Sequence, residues 1–165
     1  MRGTVRDYDA LAPFHYVAPR PATFAAIWVV RYRDGPRAPA RPVAVGVLSY
    51  PVPSSECREL YLGRGEGREG RSREERTRDE NLRFANRHIR TISRVIVHPQ
   101  FRSIGLSTLL VRTLCARATT RYVEAFAAMG RLHPFFQRAG MTSCELRGER
   151  HRPMYFIFDR KENKR

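Results

Sequence analysis

"VIVHPQFRSIGLSTLLVRTL", residues 95–114, runs from a β-branched stretch through a polar turn into a leucine-rich segment. Val95, Ile96 and Val97 read as the end of a strand, where branched side chains pack on a pleated surface. From Gly105, the positions Leu106, Leu109, Leu110, Thr113 and Leu114 recur at helical spacing, so 105–118 is predicted as an amphipathic helix. A strand that feeds directly into a helix leaves the first backbone N–H groups unpaired, and the helix dipole adds partial positive charge there. Arg102 brings a fork of donors, Gly105 lets a ligand approach the backbone, and Ser107 is small. The turn is therefore a candidate phosphate cradle, although its spacing alone fits an ordinary strand–helix connection equally well.

Working outward, "TISRVIV" (91–97) is the strand itself and "YVEAFAAM" (122–129) a further strand beyond the helix. "GRLHPFFQRAGM" (130–141) reads as a short helix closed by Gly140, and "RPMYFIFDR" (152–160) as a final strand. Upstream, a proline-rich lead-in precedes "TFAAIWVVRY" (23–32) and "VAVGVLSY" (43–50). These are two strands joined by the turn-forming "RDGPRAPARP", hence an antiparallel hairpin. "ENLRFANRHIR" (80–90) is a short helix with Leu82, Phe84 and Ala85 on its apolar side. "GRGEGREGRSREERTRDE" (63–80) has no aliphatic residue and equal numbers of basic and acidic side chains, so it is expected to be a mobile excursion. Residues 160–165 are expected to fray. Strands first, then β-α-β-α-β, predict a single α/β domain over 1–165 with a mixed sheet.

At 165 residues, 42% hydrophobic and 28% charged, the chain is long enough for one core and too apolar for disorder. No apolar run approaches the roughly 20 residues that span a bilayer, and the first residues hold no apolar signal region. Cys57, Cys115 and Cys144 lie far apart without a CxxC pair. That argues against a disulfide framework or zinc site and for reduced thiols in a cytoplasmic protein, with Cys115 in the core. The net charge is +15, and residues 81–165, with 17 basic and 5 acidic side chains, carry +12 of it. Such a field favours phosphorylated ligands or nucleic acid, DNA or RNA. Of the 31 basic residues only Lys161 and Lys164 are lysine, and a GC-rich genome produces such an arginine bias without any partner.

"SRVIVHPQFRSIGLSTLLV" resembles motif A of the GNAT acyltransferase superfamily, R/Q-x-x-G-x-G/A at the start of a helix after a strand. "YVEAFAAMGRLHPFFQRAGM" (122–141) is similar to the strand, helix and F-F-x-x-A-G-M ending of many members. The resemblance is strongest over 84–141 and extends over 11–158. It implies the GNAT fold: a mixed, mostly antiparallel sheet whose central strand splays from its neighbour, with helices on both faces. It also implies an N-acyltransferase that uses acetyl-CoA, or another acyl-CoA, to acylate an amine. On that reading Val95, Ile96 and Val97 line the pantetheine arm, and Arg102, Ser103, Ile104, Gly105, Leu106 and Ser107 hold the pyrophosphate. Ser107 stands where the family usually has Gly or Ala. "PFHY…RPAT", "RTISRVIVHPQFRSIGL" and "EAFAAMGRLHPFFQRAGM" further resemble a GNAT subgroup often fused to an ABC-type ATPase and distantly similar to the phage DNA-modification protein Mom. The chain has no P-loop, so an ATPase partner would be a separate polypeptide.

Acyl transfer to an amine needs a base for the amine proton, stabilisation of the thioester oxygen and a proton for the leaving thiolate. Glu124 lies in an apolar strand. Buried, it would have a raised pKa suited to a general base; otherwise it faces solvent or pairs with an arginine. The resemblance places the N-terminal segment in the acceptor pocket, which makes His15 and Tyr16 candidates. Of Ser93 and Arg94 on the central strand, one is expected to point at the thioester, and Arg94 suits an acidic group of the substrate. His98 and His133, each before a proline, are further candidates. The tyrosine that many members use as acid is replaced here by phenylalanine. His15, Tyr16, Glu124 and His133 together would suit iron, but no pair has the spacing of a metal motif and no metal is predicted. The expected function is an acyl-CoA-dependent N-acyltransferase that acetylates an amine, with an amine on or near nucleic acid as one candidate acceptor. The alternatives are a Mom-like nucleobase-modifying enzyme and a non-catalytic protein that binds nucleic acid or an ATPase.

Overall fold

A computed structural model describes all residues except 17–18, 54, 64–77, 145–152 and 163–165, and the backbone alone of Arg78. Among the described residues six strands form one sheet, in the order β1-β2-β3-β4-β6-β5. They are β1 (Ala26–Tyr32), β2 (Arg41–Ser49), β3 (Ile89–Val97), β4 (Tyr122–Ala127), β5 (Thr142–Cys144) and β6 (Met154–Asp159). All neighbours are antiparallel except β3 and β4. A parallel pair needs a crossover, and α4 (Leu106–Arg117) supplies it across one face. On the other face lie α1 (Val5–Leu11), α2 (Glu56–Tyr61) and α3 (Arg78–His88); a single turn, α5 (Phe135–Arg138), follows β4.

Alternation along the strands sorts the core into two faces. Val123, Ala125 and Ala127 of β4 pack with Leu114, Val111 and Cys115 of α4. Tyr8 and Leu11 of α1 meet Ile27, Val45, Val47 and Ile96, while Ala85 of α3 meets Ile89, Tyr122, Tyr155 and Ile157. The buried stripe of α4 is Leu110, Val111, Leu114 and Cys115, one step round from the expected one. Leu109 is 51% exposed, and the Thr113 hydroxyl bonds back to its carbonyl at 2.8 Å. Gly46 of β2 lies against this helix: a Cβ there would stand 2.8 Å from Cδ1 of Leu114, which is fully buried. Gly46→Ala is expected to destabilise by about 1–3 kcal/mol, read as a fall in Tm of about 3–10 °C.

Among the described residues α1, α2 and β5 escaped the sequence reading, as did the short 3-10 turns at Ala12–Phe14 and Pro99–Phe101. α1 did carry a local signal, since Thr4 caps the amide of Asp7 while Oδ2 of Asp7 accepts the Thr4 amide at 2.8 Å. The supposed loop at 63–80 is shorter than expected at its C-terminal end, because Arg78–Glu80 open α3; residues 64–77 lie outside the described residues. The expected frayed tail is likewise held at its start. The Arg160 amide bonds the Arg121 carbonyl at 3.1 Å, and its guanidinium donates to the carbonyls of Ala118 and Ala116. Residues 163–165 lie outside the described residues.

Beside this anchor, Asp159 is buried and accepts from Arg121 at 2.6 Å and from the Lys161 amide at 2.9 Å. Burial alone would push its carboxyl up, but the Arg121 and Lys161 bonds prevail and hold it below the usual range. A depressed folded-state pKa contributes stability above the unfolded value that is lost as pH falls through the folded one. Asp159→Asn is therefore expected to lower Tm at neutral pH, with the deficit closing as pH drops below about 3.9, the ordinary Asp value. Thermal melts of both proteins across that range check it.

Candidate functional site

β3 and β4 pair only over Ile89–Ile92 against Tyr122–Ala125. β3 then continues on β2 as far as Val97, opposite Ala44. One edge of Ser93–Val97 thus has no strand against it among the described residues, and the sheet opens where β4 ends. The register shift at Val47/Leu48 leaves Ser93 unmatched. This bulge re-phases the strand, so that Ile96 joins the core under α1 while Val95 packs on the α4 side.

The opening is a cavity of about 660 Å³, within the range of ligand pockets. Ser93, Val95, Ile96, Val97, Arg102, Ser103, Gly105 and Ser107 line it, with His15, Tyr16 and His133. Ile104, 67% exposed, and Leu106 belong to the same turn but do not line the cavity. Phe14, Thr108, Phe126, Met129, Phe135 and Arg138 also line it and were not foreseen. Phe14 and Thr108 stand far from the other four in the chain, and only the fold brings the six to one cavity.

Two left-handed residues shape the turn, Ser103 at φ 66 and Gly105 at φ 87. Gly105 is the N-cap of α4 and offers no side-chain hydrogen bond. Among the described residues no backbone acceptor outside the helix takes the amides of Leu106, Ser107 or Thr108. The Arg102 guanidinium bonds the carbonyls of Val97 (3.4 Å) and Phe14 (3.3 Å), which leaves other N–H donors of its fork unspent.

At the bulge, Oγ of Ser93 lies 2.7 Å from Oγ of Ser49, which donates to the Thr23 carbonyl at 2.5 Å. A hydroxyl has one proton, so Ser93 donates to Ser49 and keeps its own oxygen as an acceptor. His15 stacks on Tyr16, ring centroids 4.7 Å apart. His98 is outside the cavity: its Nδ1 accepts the Gln100 amide at 3.4 Å and its ring packs edge-on against Phe14.

Glu124 departs from the general-base expectation. It is fully buried; Oε1 accepts from Nη2 of Arg58 (2.7 Å) and the Thr91 hydroxyl (2.8 Å). Oε2 accepts from Nε of Arg58 (2.9 Å) and the Tyr155 hydroxyl (3.1 Å). Its acceptor positions are filled, and it does not line the cavity. The arginine-paired alternative is the observed one. Burial opposes the Arg58 charge, but Glu124 outweighs it; burial and the Glu124 charge both push the Tyr155 phenol up, so it remains a donor. The set His15, Tyr16, Glu124 and His133 is accordingly not brought together. Cys115 is a buried thiol pushed up to about 12 by burial, which makes it unreactive.

The cavity's described lining contains no Asp or Glu, while Arg94, Arg102 and Arg138 all reach it. Its field is positive, which suits anionic ligands.

No protein-family profile matches the sequence, and no curated protein does. Solved structures do resemble it. Arabidopsis thaliana NAA60 in complex with acetyl-CoA matches with a TM-score of 0.53 at 12% identity, over 82% of this chain and 76% of that one. The aminoglycoside acetyltransferase AAC(6')-Ib in complex with coenzyme A and kanamycin matches with a TM-score of 0.47 at 14% identity, over 84% and 69%. The first of these carries the comparison: the chain has the GNAT fold.

Proposed function

We propose that this GNAT-fold chain transfers an acetyl group from acetyl-CoA to an amine. The observation that carries the reading is the open edge of β3, Ser93–Val97, running up to the uncapped N-terminus of α4. An extended chain of amides laid along that edge finds backbone donors and acceptors, as an added strand would. A diphosphate at its end meets the first-turn amides of α4 and the Arg102 fork. Gly105 keeps the approach clear, since nothing lies within 4 Å of where a Cβ would stand. Acetyl-CoA has this shape, and the Arabidopsis neighbour was solved with it.

When bound, the thioester supplies an activated acyl carbon. The acceptor nitrogen bonds that carbon, the C–S bond breaks, and the proton that leaves nitrogen ends on the CoA sulfur. Ser93 accepts a hydrogen bond from the acceptor N–H and so orients the nitrogen lone pair. His15 and His133 are the imidazoles of the cavity's described lining and the side chains we assign to carry the proton from nitrogen to sulfur. The nearby arginines favour the free amine over the ammonium, because like charges repel. The +12 on residues 81–165 keeps DNA and RNA among the acceptors to screen. Calorimetric titration with acetyl-CoA tests the reading: saturable one-to-one binding is expected, and no heat of binding ends it.

A further inference from the structure

We infer that the acceptor amine itself carries an anionic group, a carboxylate or a phosphate a few bonds from its nitrogen, and that Arg94 holds it. This rests on the acetyl-CoA reading above. Arg94 follows the bulge at Ser93 and pairs across to Val47, a member of the core under α1. Without the bulge the alternation would turn it to the α4 side. The inserted residue thus puts a guanidinium against the N-terminal segment, at the point where β3 parts from β4.

The guanidinium is fixed there. Nη1 donates to the Ser93 carbonyl at 2.6 Å and Nη2 to the Pro19 carbonyl at 2.5 Å. Both anchors are neutral, and among the described residues no carboxylate pairs with it. Arg31, Arg58 and Arg121 do have such partners, in Asp7, Glu124 and Asp159. The Nε of Arg94 is buried without any hydrogen-bond partner, a condition it shares among the described residues only with the Trp28 indole nitrogen. A half-buried, oriented and uncompensated cation is costly unless a ligand completes it. An anion on the acceptor would do so through charge-assisted bonds to the remaining N–H groups. Among the charged side chains of the described lining, a cationic acceptor such as a diamine would meet only arginines: Arg94, Arg102 and Arg138.

The test uses acetyl-CoA-loaded protein and follows thiol release with matched amines. β-Alanine and phosphoethanolamine carry the two anions, β-alaninamide and ethanolamine are their neutral counterparts, and agmatine is the cationic control. Glutarate and inorganic phosphate are titrated calorimetrically into the CoA-loaded protein as binding probes. The expected result is a preference of about 100-fold in kcat/KM, or in affinity, for at least one anionic probe. Arg94→Met should abolish that preference, while Arg94→Lys should restore part of it. Equal turnover of the neutral or cationic amines overturns the inference, and so does an Arg94→Met loss shared by neutral and anionic acceptors. Failure of every anionic probe to bind or react with protein that binds acetyl-CoA overturns it as well. Failure to bind acetyl-CoA instead removes the reading beneath it.

Discussion

Arg58→Met is expected to destabilise the protein by about 3–5 kcal/mol, a fall in Tm on the order of 10 °C. Arg58 and Glu124 are 1% and 0% exposed, and two of the guanidinium nitrogens grip the two carboxylate oxygens. The third nitrogen, Nη1, bonds the carbonyls of Val52 (2.9 Å) and Pro53 (3.3 Å), so one side chain ties the start of α2 to β4. Removing it leaves a buried carboxylate with only the Thr91 and Tyr155 hydroxyls for company. Glu124→Leu leaves the complementary orphan, a buried guanidinium. The double variant replaces the pair by apolar groups and should recover most of the loss, giving a strongly non-additive cycle. Neither residue lines the cavity, so the Arg58→Met protein, held below its Tm, should keep its acetyl-CoA affinity. Thermal melts with parallel calorimetry check both statements. A fall below about 1 kcal/mol would mean that the pair carries no more than an exposed one.

Arg102→Glu is expected to weaken acetyl-CoA binding by at least about 100-fold, since it deletes charge-assisted donors and sets a carboxylate where the diphosphate is proposed to lie. It also cuts the link between the turn and Phe14, which lines the same cavity. Because Arg102 is exposed, Tm should move by no more than about 1–2 °C. Gly105→Val should weaken binding through the backbone instead. At φ 87 a β-branched residue is strained, so the turn must re-form before α4 starts. Calorimetry of the two variants separates charge from geometry: raised salt should narrow the gap between wild type and Arg102→Glu more than that between wild type and Gly105→Val.

What the sequence by itself determined is local. Branched residues at 95–97, a proline stop, a glycine and a leucine repeat define strand, turn and helix within one window, because strand and helix periods and turn chemistry act over a few residues. The same stretch carried the likeness that the solved Arabidopsis structure bears out as a fold. Even there, the helix face lies one step round, with Val111 and Cys115 buried in place of Leu109 and Thr113, because the strands it packs on come from elsewhere in the chain. Only the tertiary structure decided the fate of Glu124. Alternation puts it on one face of β4, but the arginine that takes it is 66 positions away and lies on a helix with no strong signal of its own. Likewise the bulge at Ser93 exists only through pairing with β2, yet it turns Arg94 to the α1 side, where it bonds the Pro19 carbonyl. Partners of buried charges and the register of a sheet are set by contacts distant in sequence, and side-chain chemistry within a short window carries no record of them.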